Sequence, residues 1–318
     1  MAIDFNKVNS MSDKQIIDWA NRKDEEYYEA LVDTYNGFNT GIICIGPPGV
    51  GKSYEGKQIL KEVGCKNVNI LNSEYDKDDD DNWQLTNLDI SNGPLVRKSD
   101  YSNWALYADL WANRSKQKGG WLDKPGVIIS DDNDQIMKDI TGLSIMMAST
   151  ERDIIKDVDL TKANFNNELR KRNIGAKFES DAKLVILTNF KMMEEVQKWR
   201  SKTYGQNKKE PSYIKRWEAL GDRMAYVDME LDHPRLLRVY VENKIEKYEL
   251  LQNNGRLKEL FQRGATNKEM GLVIDWIRDN QVNLKQHLSL RLAEDIAINI
   301  MRFPKDWKNK CMKYVNTF

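Results

Sequence analysis

Apolar residues occur along this chain in two patterns, as short continuous runs and as longer repeats with helical spacing. A short continuous run is typical of a strand that is buried on both faces of a parallel sheet. Such runs predict buried strands at Gly41–Ile45 and at residues 126–132 and 184–189. Weaker apolar patterns predict further strands at residues 68–71, 83–90 and 224–231.

The helical repeats lie between these strands and after them. Ser12, with Gln15 at the capping-box position, predicts the start of a helix over residues 12–35. Helices are also predicted at residues 53–63 and 134–149, and from Ser99 or Asp100 to about Trp111. From about Glu242 the pattern is helical throughout, with helices predicted at residues 244–262, 267–278, 289–303 and 305–314.

Apolar strands that alternate with helices are typical of an α/β fold with a parallel sheet. The sequence therefore predicts an α/β core followed by a small C-terminal helical domain. We expect an N-terminal helical segment at residues 1–37, the core at residues 38–241 and the helical domain at residues 242–318.

Composition narrows the possible classes of function. The 318 residues carry 49 basic and 49 acidic side chains, so no overall basicity indicates a nucleic-acid-binding protein. Three cysteines without a Cys-x-x-Cys pair, together with only two histidines, argue against a disulfide framework and a zinc site. The chain shows neither a signal peptide nor a transmembrane stretch, and we expect it in the cytoplasm, the host's if the protein is viral.

One segment carries a specific chemical signal. Residues 46–53 read Gly-Pro-Pro-Gly-Val-Gly-Lys-Ser and match the phosphate-binding pattern Gly-x-x-x-x-Gly-Lys-Ser/Thr, between a predicted strand and a predicted helix. In this arrangement Lys52 reaches the β- and γ-phosphates of a nucleotide and the Ser53 hydroxyl binds Mg²⁺. The predicted nucleotide-binding residues are Gly46, Pro47, Pro48, Gly49, Val50, Gly51, Lys52, Ser53 and Tyr54.

Polar residues end two of the later buried strands. Asp131 is predicted to hold Mg²⁺, directly or through water, and Asp132 to act as the base that activates the attacking water. Asn189 ends the next buried strand and could orient that water or contact the γ-phosphate. The simpler alternatives are a solvated acidic turn after the first strand and an ordinary turn asparagine after the second.

At this point the chain resembles the AAA+ ATPases, since residues 46–53, Asp131–Asp132 and Asn189 are similar to Walker A, Walker B and sensor 1 in that family's order. The resemblance implies an ATP- and Mg²⁺-dependent hydrolase. It further implies that Arg223 is an arginine finger acting on a neighbouring subunit's nucleotide, and that Arg291 is a sensor 2 residue contacting the nucleotide of its own subunit. For each arginine the alternative is a surface position or a structural ion pair, and Arg216 is the next candidate for the finger.

The sequence departs from the commonest AAA+ pattern at Asp132, where many members have glutamate, and it is most similar to bacteriophage members. The resemblance implies a homo-oligomer, expected to be a hexameric ring. Loops facing the pore of such a ring are predicted at residues 92–100 and 162–177, and a third cationic segment lies at residues 198–209. The cationic residues predicted to bind nucleic acid are Arg97, Lys98, Arg170, Lys171 and Arg172.

These patterns leave three functions open. The first is a motor acting on nucleic acid, in viral DNA replication or processing. The second is an AAA+ protein-remodelling or assembly factor. The third is a P-loop enzyme outside the ring-forming class, such as a small-molecule kinase, which requires the resemblance at both arginines to be coincidental.

Overall fold

The computed structural model describes residues 5–78, 83–98, 101–151, 154–155, 167–204, 210–247, 249–284 and 288–316. The strands are β1 (Gly41–Ile45), β2 (Lys66–Val68), β3 (Glu74–Lys77), β4 (Trp83–Asn87), β5 (Ile90–Asn92), β6 (Leu95–Lys98), β7 (Val127–Asp131), β8 (Ile154–Ile155), β9 (Phe178–Glu179), β10 (Lys183–Thr188) and β11 (Ala225–Asp228). The helices are α1 (Asp13–Asn36), α2 (Lys52–Glu62), α3 (Asn103–Ala112), α4 (Ile140–Thr150), α5 (Asn167–Lys171), α6 (Met192–Thr203), α7 (Ser212–Arg223), α8 (Pro234–Glu246), α9 (Gly255–Phe261), α10 (Asn267–Asn280), α11 (Leu290–Arg302) and α12 (Trp307–Cys311).

A five-stranded parallel sheet flanked by helices confirms the predicted mixed α/β architecture. The strand order is β11-β1-β10-β7-β6. Every residue of β1, β7 and β10 is buried, as their continuous apolar runs predicted. Because all pairings in this sheet are parallel, the carboxyl ends of the five strands lie along one edge.

The chain divides into two compact units. The first, here called the sheet unit, comprises Glu25–Ile45 and Lys52–Met229 and contains every strand described above. The second, here called the helical unit, comprises Met1–Asp24, Gly46–Gly51 and Glu230–Phe318. The predicted limit between core and helical domain, at residues 241 and 242, falls inside α8.

Strand β6 is the main difference between the predicted and observed core. Residues 92–100 were predicted as a pore-facing loop, but Leu95–Lys98 pairs with β7 as an edge strand of the main sheet. The predicted strand at residues 83–90 is instead two strands, β4 and β5, which pair outside the main sheet. The predicted strand at residues 68–71 lies slightly earlier, as β2.

Two helix predictions were also wrong in their limits. The helix predicted at residues 134–149 begins only at Ile140, where the Asp139 side chain caps it by accepting from the amide of Gly142. The helix predicted at residues 244–262 is two helices, α8 and α9, and Asn254 caps the second. Ser99 and Asp100, the predicted caps of α3, lie outside the described residues, and Ser102 caps that helix.

The helical unit is held together by paired charges as well as apolar packing. Glu242 on α8 accepts hydrogen bonds from Arg238 and Arg278, and the buried Lys244 ammonium lies 2.8 Å from the Asp24 carboxylate. The apolar residues of α11 lie on the buried side of that helix. Within the described residues, no helix combines the length and the hydropathy that crossing a membrane requires.

Candidate functional site

The candidate site begins with the strand order of the sheet unit. β10 lies between β1 and β7, so the carboxyl ends of these three strands are neighbours. The chain leaves β1 towards the β6 edge of the sheet and later returns to the opposite edge with β11. Such a reversal is the position at which open α/β sheets bind ligands.

Lys52 is the first residue of α2 and is only 7% exposed. Burial lowers the pKa of its ammonium, while nearby negative groups, among them the carboxylates of Asp132, Asp131 and Asp134, act in the opposite direction. One buried cation therefore lies within electrostatic range of three carboxylates. Ser53 follows it and is half-buried, and Tyr54 is exposed in the first turn of the helix.

Asp131 is the last residue of β7, and its side chain is buried. Its carboxylate lies 3.7 Å from the ammonium of Lys98, the residue paired with it across β6 and β7. Among the described residues, none donates a hydrogen bond to this carboxylate.

Asp132 has a left-handed backbone conformation, with φ of +52°, which aspartate tolerates better than most residues. Its amide donates a hydrogen bond of 3.0 Å to the carbonyl of Leu187 on β10, which fixes the turn. The Asp132 side chain is exposed at the surface. Partial desolvation by the surrounding protein raises its pKa, and the nearby Asp131 carboxylate adds to this effect.

A hydrogen-bonded turn ends β10 beside the two aspartates. The Thr188 hydroxyl donates a hydrogen bond of 2.5 Å to Asp134, and the amide of Phe190 donates one of 2.9 Å to the same hydroxyl. Asn189 lies between these residues, and its side chain is exposed. Sequence analysis did not find Thr188, because its partner Asp134 is far away along the chain.

The glycine-rich part of the phosphate loop, Gly46–Gly51, belongs to the helical unit. Gly49 and Gly51 have φ of +73° and +99°, conformations that favour glycine. The amide of Leu290, at the start of α11, donates a hydrogen bond of 2.9 Å to the Gly49 carbonyl. A Cβ atom at position 49 would lie 2.8 Å from the Cβ of Ser289, so there is no room for a side chain.

The two arginines that the resemblance singled out have different surroundings. Arg223, at the end of α7, forms an ion pair with Glu151 and donates a hydrogen bond of 3.4 Å to the Met147 carbonyl. Arg291, in the first turn of α11, is exposed and makes no ion pair within the described residues. The alternative finger, Arg216, donates to the hydroxyl of Ser144 at 3.2 Å.

Arg97, predicted as a pore-facing contact, is engaged within the sheet unit. Its guanidinium donates to both carboxylate oxygens of the buried Asp109, at 2.8 and 2.9 Å, and to the side chain of Asn69. Tyr101 also donates to Asp109, at 2.7 Å. These contacts place Arg97 in a polar network inside the sheet unit.

The basic cluster at residues 170–172 is also partly engaged within the chain. Arg172 is 10% exposed at its side chain, pairs with Glu168 and lies near the Tyr75 ring. The ammonium of Lys171 lies 4.4 Å from the centre of the Trp83 ring. Arg170 is exposed at the end of the short helix α5. Residues 162–166 and 205–209, in the other predicted cationic segments, lie outside the described residues.

The residues expected to hold Mg²⁺ fit that ion in their chemistry. Mg²⁺ prefers oxygen donors and takes one or two protein ligands beside water and phosphate oxygens. Ser53 and Asp131 supply such donors, and the Asp131 carboxylate has no hydrogen-bond donor among the described residues. No cluster of three or more His, Cys, Asp or Glu side chains that could hold a metal occurs in the described part of the chain.

Comparison with known proteins adds no family assignment. No protein-family model matches the chain, and no curated protein matches it.

Proposed function

We propose that this protein is a Mg²⁺-dependent ATPase of the AAA+ type that hydrolyses ATP as a homo-oligomer. The proposal depends above all on one observation. The buried ammonium of Lys52 lies within electrostatic range of Asp131 and Asp132, which lie at the carboxyl end of the parallel strand β7, where ligands bind in α/β sheets. A phosphate cradle alone needs the lysine, whereas hydrolysis also needs the acidic groups.

Each residue has a separate role in this proposal. The loop Gly46–Gly51 presents backbone amides to the phosphates, and Lys52 compensates the charge of the β- and γ-phosphates. Ser53 and Asp131 hold Mg²⁺, which compensates the charge that develops on the phosphate oxygens.

The remaining groups act on the attacking water. Asp132 accepts its proton, and its raised pKa brings the carboxylate closer to the operating pH of a general base. Asn189 orients the water from the neighbouring strand end.

The oligomer is supported by the resemblance at Arg223. In the ring that we propose, Arg223 leaves Glu151 and reaches the γ-phosphate bound to the next subunit, while Arg291 contacts the nucleotide of its own subunit. Arg223 pairs with Glu151 within the sheet unit, so the proposed role as a finger requires this ion pair to open.

The cationic loops predicted from the sequence favour nucleic acid as the substrate, with Lys98, Arg170 and Lys171 as its proposed contacts. A protein substrate is the second candidate. It is favoured by the internal contacts of Arg97 and Arg172, two of the residues that were predicted to contact phosphates. Salt-dependent binding to single-stranded and duplex DNA, in the presence of a slowly hydrolysed ATP analogue, separates the two, because phosphate contacts weaken steeply with salt.

The ATPase proposal is tested by measuring nucleotide binding and phosphate release with and without Mg²⁺. The wild-type protein should bind ATP and release phosphate only with Mg²⁺, and Lys52→Ala should lose binding. Lys57→Ala is the matched control, because Lys57 is an exposed lysine on the same helix. Equal binding by wild type and Lys52→Ala would show that the site lies elsewhere.

A further inference from the structure

Tyr27 on α1 makes a buried hydrogen bond to the start of α2. Its side chain is 1% exposed, and its hydroxyl donates a hydrogen bond of 3.0 Å to the main-chain carbonyl of Lys52. Lys52 is the first residue of α2, so its carbonyl belongs to the first turn of that helix. The contact therefore acts on the backbone that carries the lysine rather than on its ammonium.

Gly56 provides a second observation at the same place. It lies one turn after Lys52, on the same face of α2. A Cβ atom at position 56 would lie 2.6 Å from the Tyr27 hydroxyl oxygen and 3.5 Å from the Cδ1 atom of Ile129. Glycine inside a helix is destabilising relative to alanine. The absence of a side chain at Gly56 allows the Tyr27 hydroxyl to reach the Lys52 carbonyl.

The hydroxyl of Tyr27 remains a proton donor over the physiological pH range. Burial raises its pKa well above the ordinary value, and the electrostatic effects of Cys44, Glu55 and Asp131 act in the same direction. Tyr27 is thus a fixed neutral donor beneath the first turn of α2.

Tyr35 makes a comparable contact at the other end of α2. Its hydroxyl donates a hydrogen bond of 3.1 Å to the carbonyl of Gly64, just after the helix ends. The two tyrosines are eight residues apart on α1, about 12 Å along the helix axis. Both therefore attach α2 to α1, but only Tyr27 does so at the lysine.

From these contacts we infer that Tyr27 is a positioning residue for Lys52, holding the first turn of α2 so that the lysine is oriented for the nucleotide phosphates before they bind. The inference rests on the proposed function, since it assigns Tyr27 a role in the same site. A structural role for Tyr27 would depend only on the attachment of α1 to α2, and Tyr35 would then serve equally well.

The experiment compares full-length wild type with Tyr27→Phe and Tyr35→Phe. Each substitution keeps the ring and removes one hydroxyl that donates to a backbone carbonyl. Three quantities are measured for each protein: the dissociation constant of a fluorescent ATP analogue, the hydrogen exchange of amides 52–57, and the melting temperature.

Tyr27→Phe should weaken binding of the analogue roughly 3- to 10-fold, the range expected when one net hydrogen bond is lost. It should also speed exchange at amides 52–57. Tyr35→Phe should change the dissociation constant less than about twofold while lowering the melting temperature to a similar extent. Equal changes in affinity for the two variants, or no change for Tyr27→Phe, would overturn the inference.

A double-mutant cycle with Gly56→Ala tests the geometry directly. Gly56→Ala should weaken binding in the wild-type background and weaken it less in the Tyr27→Phe background, because the hydroxyl that meets the new methyl group is gone. Additive effects would contradict the contact.

Failure of the proposed function can be distinguished from failure of this inference. If the wild-type protein binds no ATP analogue, the proposed function is wrong. The exchange rates of amides 52–57 then decide separately whether Tyr27 orders the start of α2, and unchanged rates in Tyr27→Phe would overturn that part as well.

Discussion

The main-chain amide of Leu290 donates a hydrogen bond of 2.9 Å to the carbonyl of Gly49, which joins the start of α11 to the phosphate loop within the helical unit. Ser289 packs on the same glycine, closely enough that a Cβ atom there would lie 2.8 Å from its own Cβ. Its hydroxyl also caps α11 by accepting from the amide of Leu292 at 3.1 Å. The loop conformation at Gly49 therefore depends on the residues that begin α11.

The first prediction concerns Gly49→Ala. The substitution places a side chain at φ of +73° and against Ser289, so we expect the strain of the left-handed backbone, about 1–2 kcal/mol, plus a steric cost of about 1–3 kcal/mol. Gly37→Ala is the control, because Gly37 has φ of +88° and no heavy atom within 4 Å of its Cβ position. Chemical denaturation should show the larger loss for Gly49→Ala, and equal losses would show that Ser289 moves aside.

The second prediction concerns the network around Arg97. Arg97→Ala leaves the buried carboxylate of Asp109 without its cation, so we expect a loss of about 3–5 kcal/mol in the free energy of unfolding. Asp123→Ala removes an exposed ion pair with Lys116 and should leave the free energy of unfolding close to the wild-type value. Thermal or chemical denaturation measures both, and a stable Arg97→Ala protein with selectively weaker DNA binding would restore the pore-loop prediction.

The sequence predicted the central strands of the sheet but not strand β6, which carries Arg97. The buried strands β1, β7 and β10 were predicted because their apolar runs are continuous, and burial on both faces selects such runs. Strand β6 was missed because it is four residues long and ends in two cations. Its arginine is buried only because Asp109 on α3 pairs with it, and no local pattern reveals a partner on another element.

The candidate site was likewise predictable only in part. The phosphate loop and the acidic strand end were recognisable because each is contiguous in the sequence. Two other contacts depend on strand order, which brings distant residues together. They are the approach of Lys98 to Asp131 and the hydrogen bond from Thr188 to Asp134. Tyr27 could not be found from the sequence, because its function lies in one hydroxyl that reaches a main-chain carbonyl.

The third prediction concerns Arg223. In the proposed ring, Arg223→Ala should keep ATP bound and reduce turnover about 10³-fold or more, because a finger acting from a neighbouring subunit is lost. Glu151→Gln removes the acidic partner of Arg223 within its own chain and should keep or raise turnover. Steady-state phosphate release distinguishes these outcomes. Similar, small losses in both variants would indicate that the pair is structural.

The fourth prediction concerns pH. Partial burial and the Asp131 carboxylate raise the pKa of Asp132, so the base becomes protonated, and kcat falls, at a higher pH than for an unperturbed aspartate. Lys98 acts in the opposite direction, and Lys98→Ala should move this acidic limb to higher pH. Lys116→Ala, at an exposed lysine paired with Asp123, should leave it in place. An acidic limb that is the same in all three proteins would exclude Asp132 as the group titrating.

The raised pKa of Asp132 also makes the stability of the fold depend on pH. The folded state binds the Asp132 proton more tightly than the unfolded state, so ionised Asp132 destabilises the fold above its folded-state pKa. This cost is relieved as the pH falls through that value. Asp132→Asn should therefore unfold at a denaturant concentration equal to or higher than wild type at neutral pH, and a lower midpoint would contradict this sign.

The central claim is hydrolysis by Asp132 at a site where Lys52 binds the nucleotide, and single-turnover phosphate release from pre-bound ATP tests it most directly. Asp132→Asn should bind ATP with wild-type affinity and release phosphate at least about 100-fold more slowly, the contribution expected of a general base. Asp134→Asn, which changes the neighbouring carboxylate bonded to Thr188, should keep most of the rate. Phosphate release by Asp132→Asn at the wild-type rate would contradict the account.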